Sequence, residues 1–241
     1  MKLKTNTLYI VSTPIGNLDD ITFRATEVLK KSDIILCEDT RHSLKLLNHL
    51  KIKKRLFSYH KFNEKKALDK IIEYINEGKI LSLISDAGTP LLSDPGQLLV
   101  QKCITKNIDI VPIPGASSIT AAMSVSGFKD KFLFYGFLPK TNNEIEKILT
   151  MINDLKYSLV FFIPAIKINL FLKKFKIYFK DRKILIAKEM TKLHESFYRG
   201  NINDIETFPN LVKGELTVII SEKDNKIEEI DENKIINMAK K

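Results

Sequence analysis

Ile80-Leu81-Ser82-Leu83-Ile84 runs without interruption into Ser85-Asp86-Ala87-Gly88-Thr89-Pro90. A short apolar run with strand character gives way to a loop of small, hydroxyl-bearing and turn-forming residues. The same pattern occurs twice more in the first half of the chain. Leu8-Tyr9-Ile10-Val11 leads into Ser12-Thr13-Pro14-Ile15-Gly16-Asn17, and Ile108-Asp109-Ile110-Val111 into Pro112-Ile113-Pro114-Gly115-Ala116-Ser117-Ser118. Strands joined by helices form a parallel sheet, so all three loops should leave its carboxyl edge, where open α/β sheets bind ligands. That edge is the expected ligand site.

The intervening sequence supplies the helices. Asp20 or Thr22 can cap a helix reaching residue 31. Residues 34–37 form a short buried-strand candidate, followed by Glu38-Asp39-Thr40-Arg41-His42 and a helix to about residue 49. Residues 56–59 are a third strand candidate, leading into His60-Lys61-Phe62-Asn63-Glu64. A helix over 67–77 carries Leu68, Ile71, Ile72 and Ile75 at helical spacing, and Gly78 ends it. Asp94-Pro95 reads as an N-cap followed by proline at the first helical position, for a helix to about residue 106. These five strands with their crossovers make a first domain, 1–116. In a second domain, 117–225, a small-residue helix over 117–125 is closed by Gly127. Thr141-Asn142-Asn143-Glu144 has capping-box spacing for a helix to about residue 155. Strand candidates lie at 132–135, 158–163, 183–188, 195–199 and 215–221, some with no helix between them, so this sheet should be mixed. Residues 226–241 read as a polar tail. The expected fold is α/β: two α/β/α domains, the first around a mainly parallel five-stranded sheet and the second around a mixed one.

At 241 residues the chain is long enough for one large or two compact domains. Its 44% apolar and 28% charged content is ordinary for a soluble protein. No apolar run approaches the roughly 18 residues that span a membrane, and the first strand begins too early to leave room for a signal peptide. Cys37 and Cys103 sit in apolar segments and read as reduced core thiols of a cytoplasmic protein. The formal charge of +10 suits a polyanionic partner such as RNA. A genome rich in A and T would give the same bias: lysine abounds, while the only arginines are Arg24, Arg41, Arg55, Arg182 and Arg199. Clusters such as Lys173-Lys174-Phe175-Lys176 read as solvated faces.

The loops also limit what they can bind. A phosphate cradle needs several converging backbone N–H groups, and Pro14, Pro90, Pro112 and Pro114 have none to give. Neither G-x-G-x-x-G nor G-x-x-x-x-G-K-[ST] is present. Carbonyl-rich loops with Ser and Thr hydroxyls better suit a neutral or cationic ligand, such as a sulfonium cofactor with an adenosine end. His42, His49, His60 and His194 show no metal-ligand spacing, and no metal site is expected.

Leu8–Thr22 (LYIVSTPIGNLDDIT), Cys37–His42 (CEDTRH), Ser85–Gly96 (SDAGTPLLSDPG) and Val111–Ser118 (VPIPGASS) resemble the tetrapyrrole methylase superfamily, and within it the branch that modifies small-subunit ribosomal RNA. The resemblance continues through Tyr135-Gly136-Phe137-Leu138-Pro139, Ala187-Lys188-Glu189-Met190-Thr191-Lys192 and Gly214-Glu215-Leu216-Thr217-Val218, and so covers almost the whole chain. It implies two domains of the class III methyltransferase type, S-adenosylmethionine in the cleft between them, a homodimer, and 16S rRNA or the 30S subunit as partner. The implied activity is 2′-O-methylation of one cytidine ribose, cytidine 1402. The implied cofactor contacts are Pro14, Ile15, Asp86, Ala87, Gly88, Thr89, Leu92, Ser117 and Ser118, with Ile163, Ala187 and Leu216 from the second domain.

Methyl transfer to a hydroxyl needs alignment of the partners and a group to take the proton. Glu38, Asp39, Arg41 and His42 follow the second strand, His60, Asn63 and Glu64 follow the third, and Glu189 and Lys192 come from the second domain. Asp39 or Glu189 could be the base, and Arg41 or Lys192 could hold phosphate or ribose. His60 is a rival base, because imidazoles as a class exchange protons near neutral pH. Glu38, His42, Asn63 and Glu64 are candidates for substrate contact. Each could equally be a cap, an ion pair or a loop tether. One departure stands out: after Phe161-Phe162 the family usually shows Glu-Ser-Pro-His-Arg, where this chain has Ile163-Pro164-Ala165-Ile166-Lys167. Two other readings remain open, a methylase of tetrapyrroles or other small molecules and a non-catalytic RNA-binding or assembly module.

Overall fold

In the computed structural model, which describes residues 2–223, the apolar runs of the first half become parallel strands because their side chains have two faces to fill. The strands are β1 (Thr7–Val11), β2 (Ile34–Cys37), β3 (Arg55–Ser58), β4 (Leu81–Leu83) and β5 (Asp109–Ile113). They form one sheet in the order β3-β2-β4-β1-β5, and every pair is parallel. Leu8, Ile34, Leu36, Leu81 and Leu83 point to one face, where they pack on α3 (Glu64–Asn76) and α4 (Gln97–Thr105). Tyr9, Val11, Ile35 and Cys37 point to the other, against α1 (Phe23–Lys31) and α2 (Thr40–His49). The period-2 alternation of each strand thus builds two cores, one under each helical layer.

Helix boundaries follow local chemistry. Of the two possible caps for α1, Thr22 is the one used: its Oγ1 accepts from Ala25 N at 3.0 Å. Asp20 instead ends a short 3-10 turn capped by Asn17. Asp94-Pro95 does not start α4, as the sequence suggested. Gly96 is the N-cap, at φ 135°, and a Cβ there would stand 2.9 Å from Leu83 Cδ2 and 3.1 Å from Leu91 Cγ. The turn must be made where no side chain exists, so the helix begins two residues later than the Asp-Pro signal.

Contacts divide the chain into two units, Met1–Val125 with Ala187–Ser196, and Ser126–Ile186 with Phe197 onward. Helix α5 (Ser118–Ser124) therefore groups with the first unit, although its sequence reads as the opening of a second domain. The second sheet holds the strands β6 (Phe132–Phe137), β7 (Ser158–Pro164), β8 (Lys183–Lys188), β9 (Ser196–Asn201) and β10 (Glu215–Ile220), ordered β6-β7-β10-β8-β9, and all but the end of β8 and the first residue of β9 belong to the second unit. Pairing is parallel between β6 and β7 and antiparallel between β7 and β10, the mixed sheet expected. Helices α6 (Asn142–Ile152) and α7 (Ile168–Tyr178) pack on one face, against Leu159, Phe161, Ile163, Leu216 and Val218. Helix α7 went unread in the sequence, and Lys174 on it is not a solvated charge. It is buried, with Nζ 2.8 Å from Glu146 Oε1 of α6. Arg182 is buried too, donating to the carbonyls of Asn153, Leu155, Tyr157 and Ser221 and so tying three chain segments together. The polar tail at 226–241 lies outside the described residues.

Candidate functional site

Strands β4, β1 and β5 lie side by side, so the three Gly/Pro loops leave one edge together. They are also bonded to one another. Thr13 and Gly88 exchange both backbone hydrogen bonds, at 2.9 and 3.1 Å, as an isolated antiparallel bridge. Ser12 Oγ and Thr89 Oγ1 share a hydrogen bond of 2.9 Å, and Thr89 Oγ1 lies 3.2 Å from the Ala116 carbonyl. Ser85 Oγ donates to the Ala87 and Gly88 carbonyls at 3.3 Å. Gly88 needs its φ of 78°, and a Cβ on Gly115 would stand 3.0 Å from Ser12 Cβ. The loops form one braced surface. Pro14, Ile15, Asp86, Ala87, Gly88, Thr89, Ser117 and Ser118 all lie on it, and Leu92 follows in the same loop as Thr89.

The loops after β2 and β3 adjoin this surface, because β2 pairs with both β4 and β3. Asp39 N donates to Asp86 Oδ1 at 3.2 Å. Asp39 itself caps α2: its Oδ1 accepts from Arg41 N at 2.8 Å, and its Oδ2 lies 2.9 Å from Arg41 Nη2. The Arg41 bonds pull the Asp39 carboxyl down to about 2, which makes it a weak proton acceptor. Glu38 and Asp94 move the other way. Burial first, then the neighbouring Asp86, raises Glu38. Burial first, then Glu38, raises Asp94 to about 6, against a lowering hydrogen bond from Ser85. His60 Nδ1 accepts from Phe62 N at 3.2 Å, so a neutral ring carries its proton on Nε2 and offers a donor rather than a base. Asn63 is a brace: its Oδ1 accepts from His60 N at 2.8 Å and its Nδ2 donates to the Ser58 carbonyl at 2.9 Å. Glu64 opens α3, and His42 is exposed in the first turn of α2.

Glu189 and Lys192 belong to a segment that contacts assign to the first unit. Lys192 Nζ lies 3.0 Å from Glu189 Oε1. Glu189 and Thr191 take left-handed φ values of 52° and 65°, and Thr191 Oγ1 accepts from Asn17 N at 3.0 Å. The segment lies tightly on the β1 loop: a Cβ on Gly16 would stand 2.5 Å from Lys192 Cγ and 2.9 Å from the Met190 carbonyl oxygen. Ala187 is buried near the end of β8. Ile163 and Leu216 are register partners in the second unit, and their side chains pack in its core.

Sequence reading missed Asp94, which it spent on a helix cap, and the bracing roles of Ser12, Thr13, Ser85, Gly16 and Thr191. The density of hydroxyls beside glycine was the available signal for the braces. A polar concavity of about 370 Å³ in the second unit is lined by none of the candidate residues and lies where β8 begins and β10 ends, at the strand ends opposite Ile163 and Leu216. Among the described residues no group of three or more His, Cys, Asp and Glu could hold a metal. The first-unit edge gathers Glu38, Asp86 and Asp94 beside loops poor in free N–H groups. Such an edge repels phosphate and suits a cation, so the residues present fit a sulfonium nucleoside with an α-amino group.

Solved structures share this fold. Diphthine synthase matches with a TM-score of 0.69 at 13% identity, covering 89% of this chain and 90% of that one. Uroporphyrin-III-C-methyltransferase from Thermus thermophilus matches at 0.63 and 16%, covering 89% and 94%. These likenesses define the class as a methylase fold. The family of tetrapyrrole (corrin/porphyrin) methylases matches residues 7–206. Two proteins named ribosomal RNA small subunit methyltransferase I are similar along nearly their whole length. That of Mesomycoplasma conjunctivae is 45% identical, covering 92% of this chain and 94% of its own. That of Thermotoga maritima is 42% identical, covering 90% and 99%. The chain belongs to the tetrapyrrole methylase family, in its ribosomal RNA small subunit methyltransferase I branch.

Proposed function

We propose that this protein is an S-adenosylmethionine-dependent methyltransferase that modifies the ribose 2′-hydroxyl of cytidine 1402 in 16S ribosomal RNA. The observation that carries the reading is the set of three mutually bonded loops on one carboxyl edge, in a chain 42–45% identical to ribosomal RNA methyltransferases of that name. The cofactor, when bound, supplies an electrophilic methyl on sulfur. Pro14, Ile15, Ala87, Gly88, Ser117 and Ser118 would hold its nucleoside by shape and carbonyl contacts. Asp86 would face its cationic groups, with one carboxylate oxygen already fixed by Asp39 N.

The remaining task is to remove a proton from a weakly acidic hydroxyl. Burial raises the Asp94 carboxyl to about 6, towards neutrality, and Glu38 beside it is raised in the same direction. The reading assigns proton acceptance to that pair rather than to Asp39 or His60. It assigns Arg41, whose side chain is 89% exposed, and Lys192 to phosphate or ribose. It also places the enzyme in the cytoplasm as a homodimer acting on the 30S subunit.

The test is transfer of labelled methyl to 30S subunits from a strain lacking the modification. Label confined to the ribose of the one cytidine is expected. Label on a tetrapyrrole instead, or cofactor binding with no transfer to RNA, would replace this reading. Asp86→Ala should lower cofactor affinity at least tenfold by calorimetry, and unchanged affinity would remove the loops from the site.

A further inference from the structure

The ring of Phe62 is 92% exposed, yet the loop that carries it is among the most tightly bonded on the sheet edge. Asn63 holds the His60 N–H and the Ser58 carbonyl through its side chain, and the N–H groups of Asn63 and Glu64 both bond the His60 carbonyl at 2.9 Å. Tyr59, fully buried, anchors the loop's start, its N–H 2.8 Å from the Cys37 carbonyl. Phe62 touches His60 edge-on, ring centroids 6.1 Å apart. Its own N–H bonds the His60 Nδ1, so the imidazole backs the loop tip. An aromatic ring held out by a well-braced turn contributes nothing to the core, and the turn that carries it has little backbone entropy left to lose on binding.

Its surroundings say what would cover it. The Phe62 loop starts one strand from the Glu38 loop, since Cys37 and Ser58 are register partners, and His60 is near enough to lower the Glu38 proton affinity. The ring therefore stands on the loop next to the one that carries Glu38, one of the carboxyls that would take the acceptor's proton. The exposed charges next to it in the chain are cationic, Lys61 beside it and Lys65 and Lys66 in the first turn of α3, while Glu64 between them is half-buried. An exposed aromatic among cations matches the way unpaired nucleic-acid strands are held, by stacking on a base face and neutralising the backbone.

We propose that Phe62 is a stacking platform for an unpaired base next to the methylated nucleotide, with Lys61, Lys65 and Lys66 on the flanking phosphates. The inference rests on the RNA-methylating reading and adds the residue that grips the strand. Stacking of one base is worth about 1–3 kcal/mol, roughly 5- to 150-fold in affinity. Phe62→Ala should therefore raise KM for the RNA substrate at least fivefold, while kcat, cofactor affinity and melting temperature stay unchanged. Phe62→Tyr should restore KM.

The chain contains no tryptophan, so Phe62→Trp gives a single tryptophan at the tip, excited selectively at wavelengths where tyrosine does not absorb. Its emission should be quenched on titration with an unpaired oligoribonucleotide spanning the target cytidine, and not with a duplex of equal charge. Equal quenching by both, or an unchanged KM in Phe62→Ala, would overturn the stacking role. A shift in oligomeric state on Phe62→Ala would overturn it in favour of a contact between copies. The quenching titration needs no turnover, so it separates failure of this inference from failure of the methyltransferase reading.

Discussion

At Asp94 the fold imposes a cost that pH can expose. Its carboxyl titrates at about 6 in the folded protein, against 3.8 as the ordinary value. Between about pH 4 and 6 the folded state therefore binds more protons than the unfolded one. The stabilising contribution is complete below pH 4 and is lost as pH rises through 6. Asp94→Asn keeps a polar partner for Ser85 and removes the charge. It should melt about 2–4 °C higher than the parent at pH 8, the scale of roughly 1 kcal/mol for a half-buried group in a chain of this size, and at the same temperature at pH 4. In the same variant kcat should fall on the order of 100-fold or more, and the limb of the rate profile near pH 6 should disappear. A variant that keeps both the rate and the limb would move proton acceptance elsewhere. Asp39 lies one residue along from Glu38, yet its environment is opposite. That Glu38-Asp39-Thr40-Arg41-His42 follows a strand at the same sheet edge was legible, but the environment of each carboxyl was not. That depends on Arg41 folding back onto Asp39 and on the burial of Asp94, and neither is encoded in spacing.

Most elements of the first sheet were legible as elements, because each strand shows a short apolar run and each helix a repeating apolar face. What sequence left open was which loops touch. The bridge between Thr13 and Gly88 and the seating of the 189–195 segment on Gly16 join residues far apart in the chain. Gly16 measures the second contact. Gly16→Ala would drive a methyl to 2.9 Å from the Met190 carbonyl, a backbone atom, besides the more yielding Lys192 side chain. The segment must lift, breaking the bond from Asn17 N to Thr191 Oγ1. A loss of about 1–3 kcal/mol is expected in denaturant unfolding, and a variant as stable as the parent would show that the seating carries no energy. Helix α7 escaped the sequence reading for a related reason. Its buried face includes Lys174, a residue type that breaks the apolar stripe until Glu146 is placed opposite it.

For the whole molecule, the formal charge of +10 was ambiguous between RNA binding and codon bias. The two differ in salt response. If the cations contact RNA, affinity for the RNA substrate should fall roughly tenfold or more between 50 and 200 mM salt, as about three or more released counterions require. Cofactor affinity over the same range should hardly change, and an RNA affinity equally flat would assign the charge to composition. The amino-acid order by itself determined the alternation of strands and helices, the parallel first sheet and the mixed second one, because periodicity and turn chemistry act over a few residues. It also placed three loops on one edge, since parallel strands admit no other arrangement. Only the tertiary structure decided that those loops brace one another, that Asp39 is spent on Arg41 while burial raises the proton affinity of Asp94, and that Gly96 rather than Asp94 starts a helix. Those outcomes depend on burial, like charges and close packing between distant segments, which no local pattern contains.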